Sequence, residues 1–515
     1  AIYNNGTINN ITGDFIANYA SGNSAAYGGA ITNGETLGDI TGDFVGNYAE
    51  AENGTAYGGA IYNYYGTIGD ITGDFIDNHA RGKDSAMGGA IANMGNIGVI
   101  QGSFINNSAE SQSGKALGGA IFSTSALNVI ADNSTSLFSG NKTVSNGTTE
   151  QNAISIYGLY LTKEVAEQYG LQEGFVDIYT GTITKDNPST LTLTATNNGE
   201  IVFDDTIRGG ALDYMEVANN NYSPIETPET MFKLNITGDD SGKVAFNNDI
   251  INANISLENT NLFLGRDNVL NNDSLTLNSG SLSMINNSVG TANLYNFAVN
   301  GDTKFFADVD LANKDMDKFT AQSYSEHTGK LVVSGMNLIS DAKDDQTVTD
   351  IFFAEQGLKD NVVNGIQELP DSSQTSVYTP IYKYNVLYDN REDGGHFLFS
   401  KGDKIIQAGG GITDTGNQSD AFNPSVLASP VAAQAGAYAA QHATFNYAFQ
   451  HADSFMQLPL NERLAARKAN QFAITSFDNL SLESNDFHQN AIWVRPYTSF
   501  ENIPLKNGPK VDVIT

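Results

Sequence analysis

Two short motifs alternate along the first 141 residues, and their spacing constrains the fold more than any other feature. The tetrapeptide Gly-Gly-Ala-Ile begins at positions 28, 58, 88 and 118, and each copy alternates with a second motif, Phe-x-x-Asn. Self-similarity at such a period is typical of solenoids, in which each unit buries its apolar face only against its neighbours. The repeat therefore predicts an elongated stack.

The repeated positions fall into two sets, and we interpret both as structural, with no catalytic role. The glycine pairs are Gly28, Gly29, Gly58, Gly59, Gly88, Gly89, Gly118 and Gly119. The second set joins Phe15 with Asn18, Phe44 with Asn47, Phe75 with Asn78, Phe104 with Asn107 and Phe138 with Asn141.

The spacing of apolar residues within a unit favours strands over helices. Apolar residues come in short bursts separated by Gly and Asn, and no unit offers ten residues of helical periodicity. We expect an all-β fold, a right-handed parallel β-helix, in which equivalent residues stack about 4.8 Å apart. The phenylalanines would then form an internal column and the asparagines an amide ladder, and the paired glycines would permit a tight turn.

Charge and cysteine content exclude several classes of function. The net charge of −32 opposes binding to nucleic acid or anionic lipid, because such partners would be repelled. The absence of cysteine excludes disulfide scaffolds, cysteine–zinc sites and thiol catalysis. No apolar run reaches the roughly eighteen residues that a transmembrane helix needs.

The chain divides into four parts. Residues 1–150 hold the regular repeats, and residues 151–402 continue in less regular coils, with RGGALDY at 208–214 as a degenerate copy of the glycine motif. Residues 403–489 contain a linker and a helix with one apolar face. Residues 490–515 alternate in the manner of strands.

Two segments inside the second part predict local structure of their own. KEVAEQYGLQ at 163–172 predicts a short helix, and residues 381–402 predict two strands joined by a turn.

The alternation of GGA(I/L) with FxxN resembles the polymorphic outer-membrane proteins, a class of type V autotransporters. The resemblance implies a β-helical passenger with a strand region that assists folding, then a pore helix, then the truncated start of an outer-membrane β-barrel. Trp493 and Tyr497 would suit the aromatic girdle of that barrel. We expect the chain to be a fragment open at both ends, with any signal peptide upstream of Ala1.

The same resemblance implies an adhesin-like protein on the surface of a Gram-negative bacterium. Its partners would be a host-cell or matrix protein or glycan, the outer membrane and the barrel-assembly machinery, and not nucleic acid. We expect variable loops at 47–57 and 77–87 to make the contacts. Two alternatives stay open, namely a β-helical polysaccharide lyase or glycosidase and a self-associating surface protein, although arginine is scarce across 150–400.

No catalytic residue and no cofactor are assigned, and calcium is the one metal left open. Aspartates repeat in two columns, which could offer oxygen ligands or instead accept backbone N–H groups at turns. GDDSGK at 238–243 approaches a serine-protease signature, but Asp240 interrupts it. The aspartate columns are Asp14, Asp43 and Asp74, and Asp39 and Asp70.

Overall fold

Short groups of apolar residues, separated by Gly, Asn and Asp, form very short strands. One repeat of the sequence forms one coil, and each of the first four coils contains six strands. We name the sheets A to F by their order within a coil. In one coil the strands are Ile31–Asn33 (A), Thr36–Leu37 (B), Ile40–Thr41 (C), Phe44–Val45 (D), Tyr48–Ala51 (E) and Thr55–Tyr57 (F).

Successive coils pair in parallel and in register. Phe44 lies opposite Phe15 in one neighbouring coil and opposite Phe75 in the other. Corresponding asparagines of adjacent coils are 29–31 residues apart. The all-β class with long parallel sheets is thereby confirmed, and the arrangement is consistent with a parallel β-helix.

This computed structural model describes residues 1–176, 182–218, 222–343, 348–366, 375–379, 382–402, 405–406, 409, 412–413, 500–503 and 511–514. The chain forms two units, one of residues 1–379 and 384–417 and one of 380–383 and 418–515. Along the described ranges, no helix is long and apolar enough to cross a membrane.

Three of the sheets are confined to the regular repeats. Sheet B contains Thr7–Ile8, Thr36–Leu37, Thr67–Ile68 and Asn96–Ile97. Sheet E contains Tyr19–Gly22, Tyr48–Ala51, His79–Gly82, Ser108–Ser111, Lys142–Ser145 and Thr148–Gln151. Sheet F contains Ala25–Tyr27, Thr55–Tyr57, Ser85–Met87 and Ala116–Leu117.

Sheets A, C and D run further along the stack. Sheet A contains Ile2–Asn4, Ile31–Asn33, Ile61–Asn63, Ile91–Asn93, Ile121–Ser123, Ile154–Leu161, Gly174–Val176, Ile183–Thr184, Ile207–Asp213, Pro224–Ile225 and Ile250–Ile251. Sheet C contains Ile11–Thr12, Ile40–Thr41, Ile71–Thr72, Val99–Gln101, Leu127–Asp132, Thr190–Thr196, Phe232–Gly238, Ala253–Glu258, Ser274–Leu277, Thr291–Val299 and Lys318–Tyr324. Sheet D contains Phe15–Ile16, Phe44–Val45, Phe75–Ile76, Phe104–Ile105, Thr135–Ser139, Glu200–Phe203, Lys243–Phe246, Asn261–Leu264, Ser281–Ser283, Thr303–Asp310, Asp315–Met316, Leu331–Ser340 and Val362–Asn364.

The coils after the regular repeats contain fewer strands, because fewer residues connect sheet D to sheet A. Between Phe44 and Ile61 the chain adds the sheet E and sheet F strands. Between Phe203 and Ile207 only residues 204–206 remain, which leaves no chain for those two strands. Sheet E ends in the antiparallel pair of Lys142–Ser145 with Thr148–Gln151.

RGGALDY is not a degenerate copy of the glycine motif, and that prediction is wrong. Ile207 lies opposite Ile154 in the column of motif isoleucines, so Gly209 and Gly210 follow the isoleucine instead of preceding it. The equivalents of GGAI in the later coils are QNAI at 151–154, DDTI at 204–207 and NNDI at 247–250, aligned through their isoleucines.

Helices are few and short among the described residues. The helix predicted at 163–172 is present as α1, Lys163–Tyr169, and ends at Gly170 in the left-handed conformation (φ 66°). A second helix, α2 (Tyr214–Ala218), was not predicted. The 3₁₀ turns are Pro228–Thr230 and Lys359–Asn361.

A four-stranded sheet, sheet G, follows the parallel stack. It contains Thr349–Ala354, Thr375–Tyr378, Lys383–Asn390 and Gly395–Lys401. The last two are the strands predicted for 381–402, and they pair antiparallel. Phe353 packs between Phe305 of sheet D and Phe397 of sheet G, so aromatic contacts join sheet G to the stack.

The linker and pore helix predicted for 403–489 and the barrel start predicted for 490–515 lie almost wholly outside the described residues. The exceptions are two antiparallel pairs, Ile405–Ile406 with Ile412–Thr413 and Phe500–Ile503 with Val511–Ile514.

Candidate binding surface

The phenylalanines of the repeat form one continuous internal column. Ring centroids from Phe15 to Phe138 are separated by 4.6–4.9 Å, and the rings are parallel to within 7°. Phe203 and Phe246 extend the column, with centroid separations of 4.4 Å and 5.2 Å. The spacing equals the distance between paired strands, so the backbone register sets the stacking.

The asparagines of the same motif form a ladder of amides. The Nδ2 of Asn47 donates to Oδ1 of Asn78 at 2.9 Å and to the carbonyl of Phe15 at 2.9 Å. The Oδ1 of Asn78 also accepts the backbone N–H of Asn47. Since the same pattern recurs at Asn78, Asn107 and Asn141, each buried amide is satisfied by its two neighbouring coils.

A second amide ladder follows the glycine motif, and sequence reasoning missed it. Asn33 donates to Asn63 at 2.9 Å, and Asn63 donates to Asn93 at 2.9 Å. Asn4 begins this ladder and Ser123 ends it. The signal was present in the sequence as the third residue after each Ala of GGAI.

The two glycines of each pair have different roles. The first glycine of each pair has a positive φ between 44° and 68°, a backbone conformation that residues with a side chain rarely adopt. These glycines are Gly28, Gly58, Gly88 and Gly118. The second glycine instead allows adjacent backbones to approach closely, because a Cβ on Gly59 would overlap the carbonyl oxygen of Gly89. The motif is therefore an element of coil geometry.

The aspartate columns lie at turns and bind backbone. Asp14 accepts the N–H of Asp43 at 3.0 Å, and Asp43 accepts that of Asp74 at 2.9 Å. Asp39 likewise accepts the N–H of Asp70 at 3.0 Å. Accepting backbone N–H groups at turns is the role that was left open beside calcium binding. In the part of the chain that the structure describes, no group of three potential metal ligands occurs.

The segments expected to be variable loops, 47–57 and 77–87, lie outside strands only at the turns 52–54 and 83–84 and at residues 47 and 77–78, which connect sheet D to sheet E. The expectation is wrong for the remainder, which forms the strands Tyr48–Ala51, Thr55–Tyr57, His79–Gly82 and Ser85–Met87. Their residues belong to sheets E and F and stay in register with the neighbouring coils. The physical reason is a buried alanine cluster, since small side chains let the two sheets pack closely. Its members are Ala26, Ala49, Ala51, Ala56, Ala80, Ala86, Ala109 and Ala116.

Five tyrosines cluster on the outside of the coil where sheet F turns into sheet A, and we call them the tyrosine surface: Tyr27, Tyr57, Tyr62, Tyr64 and Tyr65. The Tyr62 ring centroid lies 5.1 Å from those of Tyr27 and Tyr57 and 5.8 Å from that of Tyr64. The centroids of Tyr64 and Tyr65 are 4.4 Å apart. The rings therefore form one connected group.

The tyrosine surface is open on one side and covered on the other. Tyr27, Tyr64 and Tyr65 are 42–50% exposed, whereas Tyr57 and Tyr62 are buried. The Tyr57 hydroxyl lies 2.6 Å from that of Tyr222, in the segment that follows α2. Burial raises the pKa of the Tyr57 and Tyr62 phenols well above the ordinary value, so both stay neutral and can donate hydrogen bonds.

The outer face of sheet E carries a second polar and aromatic set. The rings of Tyr19 and Tyr48 stack at 5.6 Å, and the Tyr19 hydroxyl donates to Glu50 at 2.7 Å. Arg81 lies between Glu50 (3.9 Å) and Glu110 (3.6 Å), so it pairs with two carboxylates. The polar groups of this face therefore interact with one another.

A polar depression lies on the outer face of sheet C, with a volume of about 270 Å³. Its side chains already bond one another, because Gln322 donates to Asn272 at 2.9 Å and Thr320 donates to Asn293 at 2.7 Å. The lining residues are Asn271, Asn272, Asn293, Leu294, Thr320, Ala321 and Gln322.

The three arginines between residues 150 and 400 are held in ion pairs. Arg208 contacts Glu150 at 3.0 Å and Glu226 at 3.4 Å. Arg266 pairs with Asp249, and Arg391 pairs with Asp350 and Asp389.

The GDDSGK segment forms a turn. The Ser241 hydroxyl donates to Asp239 at 2.7 Å, and Asp239 also accepts the N–H of Asn197. Hydrogen bonding, chiefly from that N–H, lowers the pKa of Asp239 to about 2. The carboxylate thus stabilises the turn.

No protein-family model matches the chain, and neither curated proteins nor solved structures include a significant match.

Proposed function

We propose that this chain is the passenger of a type V autotransporter and acts as an adhesin-like binding protein on the surface of a Gram-negative bacterium. The alternation of GGAI with FxxN supports the family assignment, and the stacked parallel sheets are compatible with a right-handed parallel β-helix. The pore helix at 403–489 and the barrel at 490–515 belong to the same proposal.

The exposed tyrosine surface carries the functional part of the proposal. Inside the stack, the phenylalanines fill the core and the asparagines satisfy one another's hydrogen bonds, so these repeated residues serve folding. Outside it, Tyr27, Tyr64 and Tyr65 present large amphipathic rings at little loss of conformational entropy on binding. Rings of this kind are enriched at the centres of binding interfaces.

Ion pairing argues against the lyase alternative. A lyase needs basic groups free to bind the acidic substrate, whereas Arg208, Arg266 and Arg391 are paired with carboxylates. The strong negative charge of the chain would also repel an anionic polysaccharide.

A binding screen of the purified full chain tests the proposal. The screen measures binding to cultured animal cells and to an array of glycans and matrix proteins, and a panel of polysaccharide hydrolase and lyase assays is run in parallel. Saturable binding without turnover is the expected result. Turnover without binding would overturn it, and self-assembly without binding would favour a surface-structure protein instead.

A further inference from the structure

We infer that the tyrosine surface binds cationic polypeptide segments, whose Lys and Arg side chains stack on the exposed rings. This inference rests on the proposed binding function and deepens it by naming the site and the chemistry of the partner. It stands on three observations: the ring geometry, the exposure of the outer rings beside a covered cluster, and the local charge.

The sheet F column is exposed at one end and covered along the rest of its length. The column reads Tyr27, Tyr57, Met87 and Leu117 along the stack. Tyr57, Met87 and Leu117 are buried in one cluster with Tyr222, whereas Tyr27 is 45% exposed. A ring with a polar hydroxyl, as at Tyr27, suits a surface that alternates between water and a partner.

Carboxylates outnumber basic groups around the open end. Residues 1–80 contain nine carboxylates and no Lys or Arg. The next basic residues are Arg81, which is paired with Glu50 and Glu110, and Lys83, which donates to Asn53 at 3.3 Å. Glu35 is exposed at the turn beside the Tyr64–Tyr65 coil, where its carbonyl accepts the Thr67 N–H at 2.8 Å. The electron-rich ring faces therefore lie in a negative field.

A cationic segment is the partner that can interact both with the exposed tyrosine rings and with the surrounding carboxylates. A guanidinium or ammonium group within about 6 Å of a ring centroid is attracted to the ring face, and the acidic surroundings add a longer-range attraction. A polyanion would be repelled. A neutral glycan could stack on the rings but would gain nothing from the carboxylates, so salt dependence separates the two partners.

A comparison of two ligands tests the inference. The affinity of the full chain is measured for a fluorescent arginine-rich peptide and for a neutral labelled oligosaccharide, each at low and high salt. Because any acidic protein attracts such a peptide, tyrosine variants provide the specific signal. We expect Tyr64→Ala and Tyr27→Ala each to weaken peptide binding by roughly three- to tenfold. Tyr64→Phe, which keeps the ring, and Tyr19→Ala, on the separate sheet E face, should stay within about twofold.

Unchanged peptide affinity in both alanine variants would overturn the inference, as would oligosaccharide binding that equals peptide binding and ignores salt. Thermal melting of each variant checks the fold, and because Tyr27 and Tyr64 are only about half-buried we expect a small loss of stability and a folded protein. If the full chain attaches to cells but ignores the peptide, this inference fails while the proposed function stands.

Discussion

Asn141 donates a side-chain N–H to Oδ2 of Asp205 at 2.9 Å, so a buried carboxylate ends a ladder otherwise built from amides. The same carboxylate accepts the backbone N–H of Asn141 at 2.8 Å and that of Gly140 at 3.1 Å. Asp205 follows Phe203 at the point where the coil loses sheets E and F, and burial raises the pKa of its carboxyl. It therefore satisfies donors that the next coil no longer reaches with an asparagine.

Replacing Asp205 separates hydrogen bonding from charge. Asp205→Ala leaves the buried backbone and side-chain N–H groups of Asn141 without an acceptor, and we expect the free energy of unfolding to fall by about 1–3 kcal/mol. Asp205→Asn keeps an oxygen for Asn141, as in every other rung, and should cost less than about 1 kcal/mol. Urea unfolding of the full chain measures both, and equal losses would contradict a hydrogen-bonding role.

Removing one ring from the phenylalanine column should destabilise the stack strongly. Phe75 is fully buried between Phe44 and Phe104, so Phe75→Ala should lower the free energy of unfolding by about 3–5 kcal/mol. Ile76, the next residue, points outward and is half-buried, so Ile76→Ala is the matched control with a loss of about 1 kcal/mol. Urea titration distinguishes the two, and similar losses would argue against an internal column.

The second glycine of the motif should tolerate no side chain. In Gly89→Ala the new Cβ would overlap the carbonyl oxygen of Gly119, so neighbouring coils must separate. We expect this variant to be poorly folded. Gly46→Ala provides the contrast, since φ is 64° but no atom lies within 4 Å, and it should cost about 1–2 kcal/mol. Circular dichroism and thermal melting measure the difference, and a fully stable Gly89→Ala would contradict close coil packing.

A buried carboxyl makes stability depend on pH in the narrow part of the stack. Burial raises the pKa of Asp273 to about 8 from an ordinary 3.8, despite the N–H bonds it accepts from Ala253 and Asn271. The folded state then holds the proton more tightly than the unfolded chain. Its contribution is complete below about pH 4 and is lost as the pH rises through about 8.

The urea midpoint of the full chain should therefore fall as the pH rises from about 4 to about 8, and Asp273→Asn should reduce that fall. Asp317, whose pKa burial raises to about 7, should leave a residual slope that is smaller in the double variant with Asp317→Asn. A midpoint that rises over this range would contradict the assignment.

The columns could be predicted because identical residues at an equal spacing must meet when coils stack. That argument places Phe44 on Phe75 without further information. It could not extend to Phe203, because the chain between Phe138 and Phe203 includes α1 and the strands around it, which break the period. The same irregularity made RGGALDY look like a repeat, although Ile207 sets the register.

The binding surface could not be predicted because its signal is not periodic. Tyr62, Tyr64 and Tyr65 stand close together in one repeat only, and their contact with Tyr27 requires the register of sheets F and A. The sequence does not predict the strands of sheets E and F, because Ala, Ser and Gly show little strand preference. Their packing comes from the buried alanine cluster, a tertiary effect.

The most direct test of the account is attachment of the purified full chain to cultured animal cells, compared between the wild type and the Tyr27→Ala/Tyr64→Ala double variant. We predict saturable attachment by the wild type and at least a tenfold weaker attachment, about 1.4 kcal/mol, by the variant, which thermal melting should show to be folded. Equal attachment of the two proteins would contradict a binding role for the tyrosine surface. Polysaccharide turnover without attachment would contradict the binding function itself.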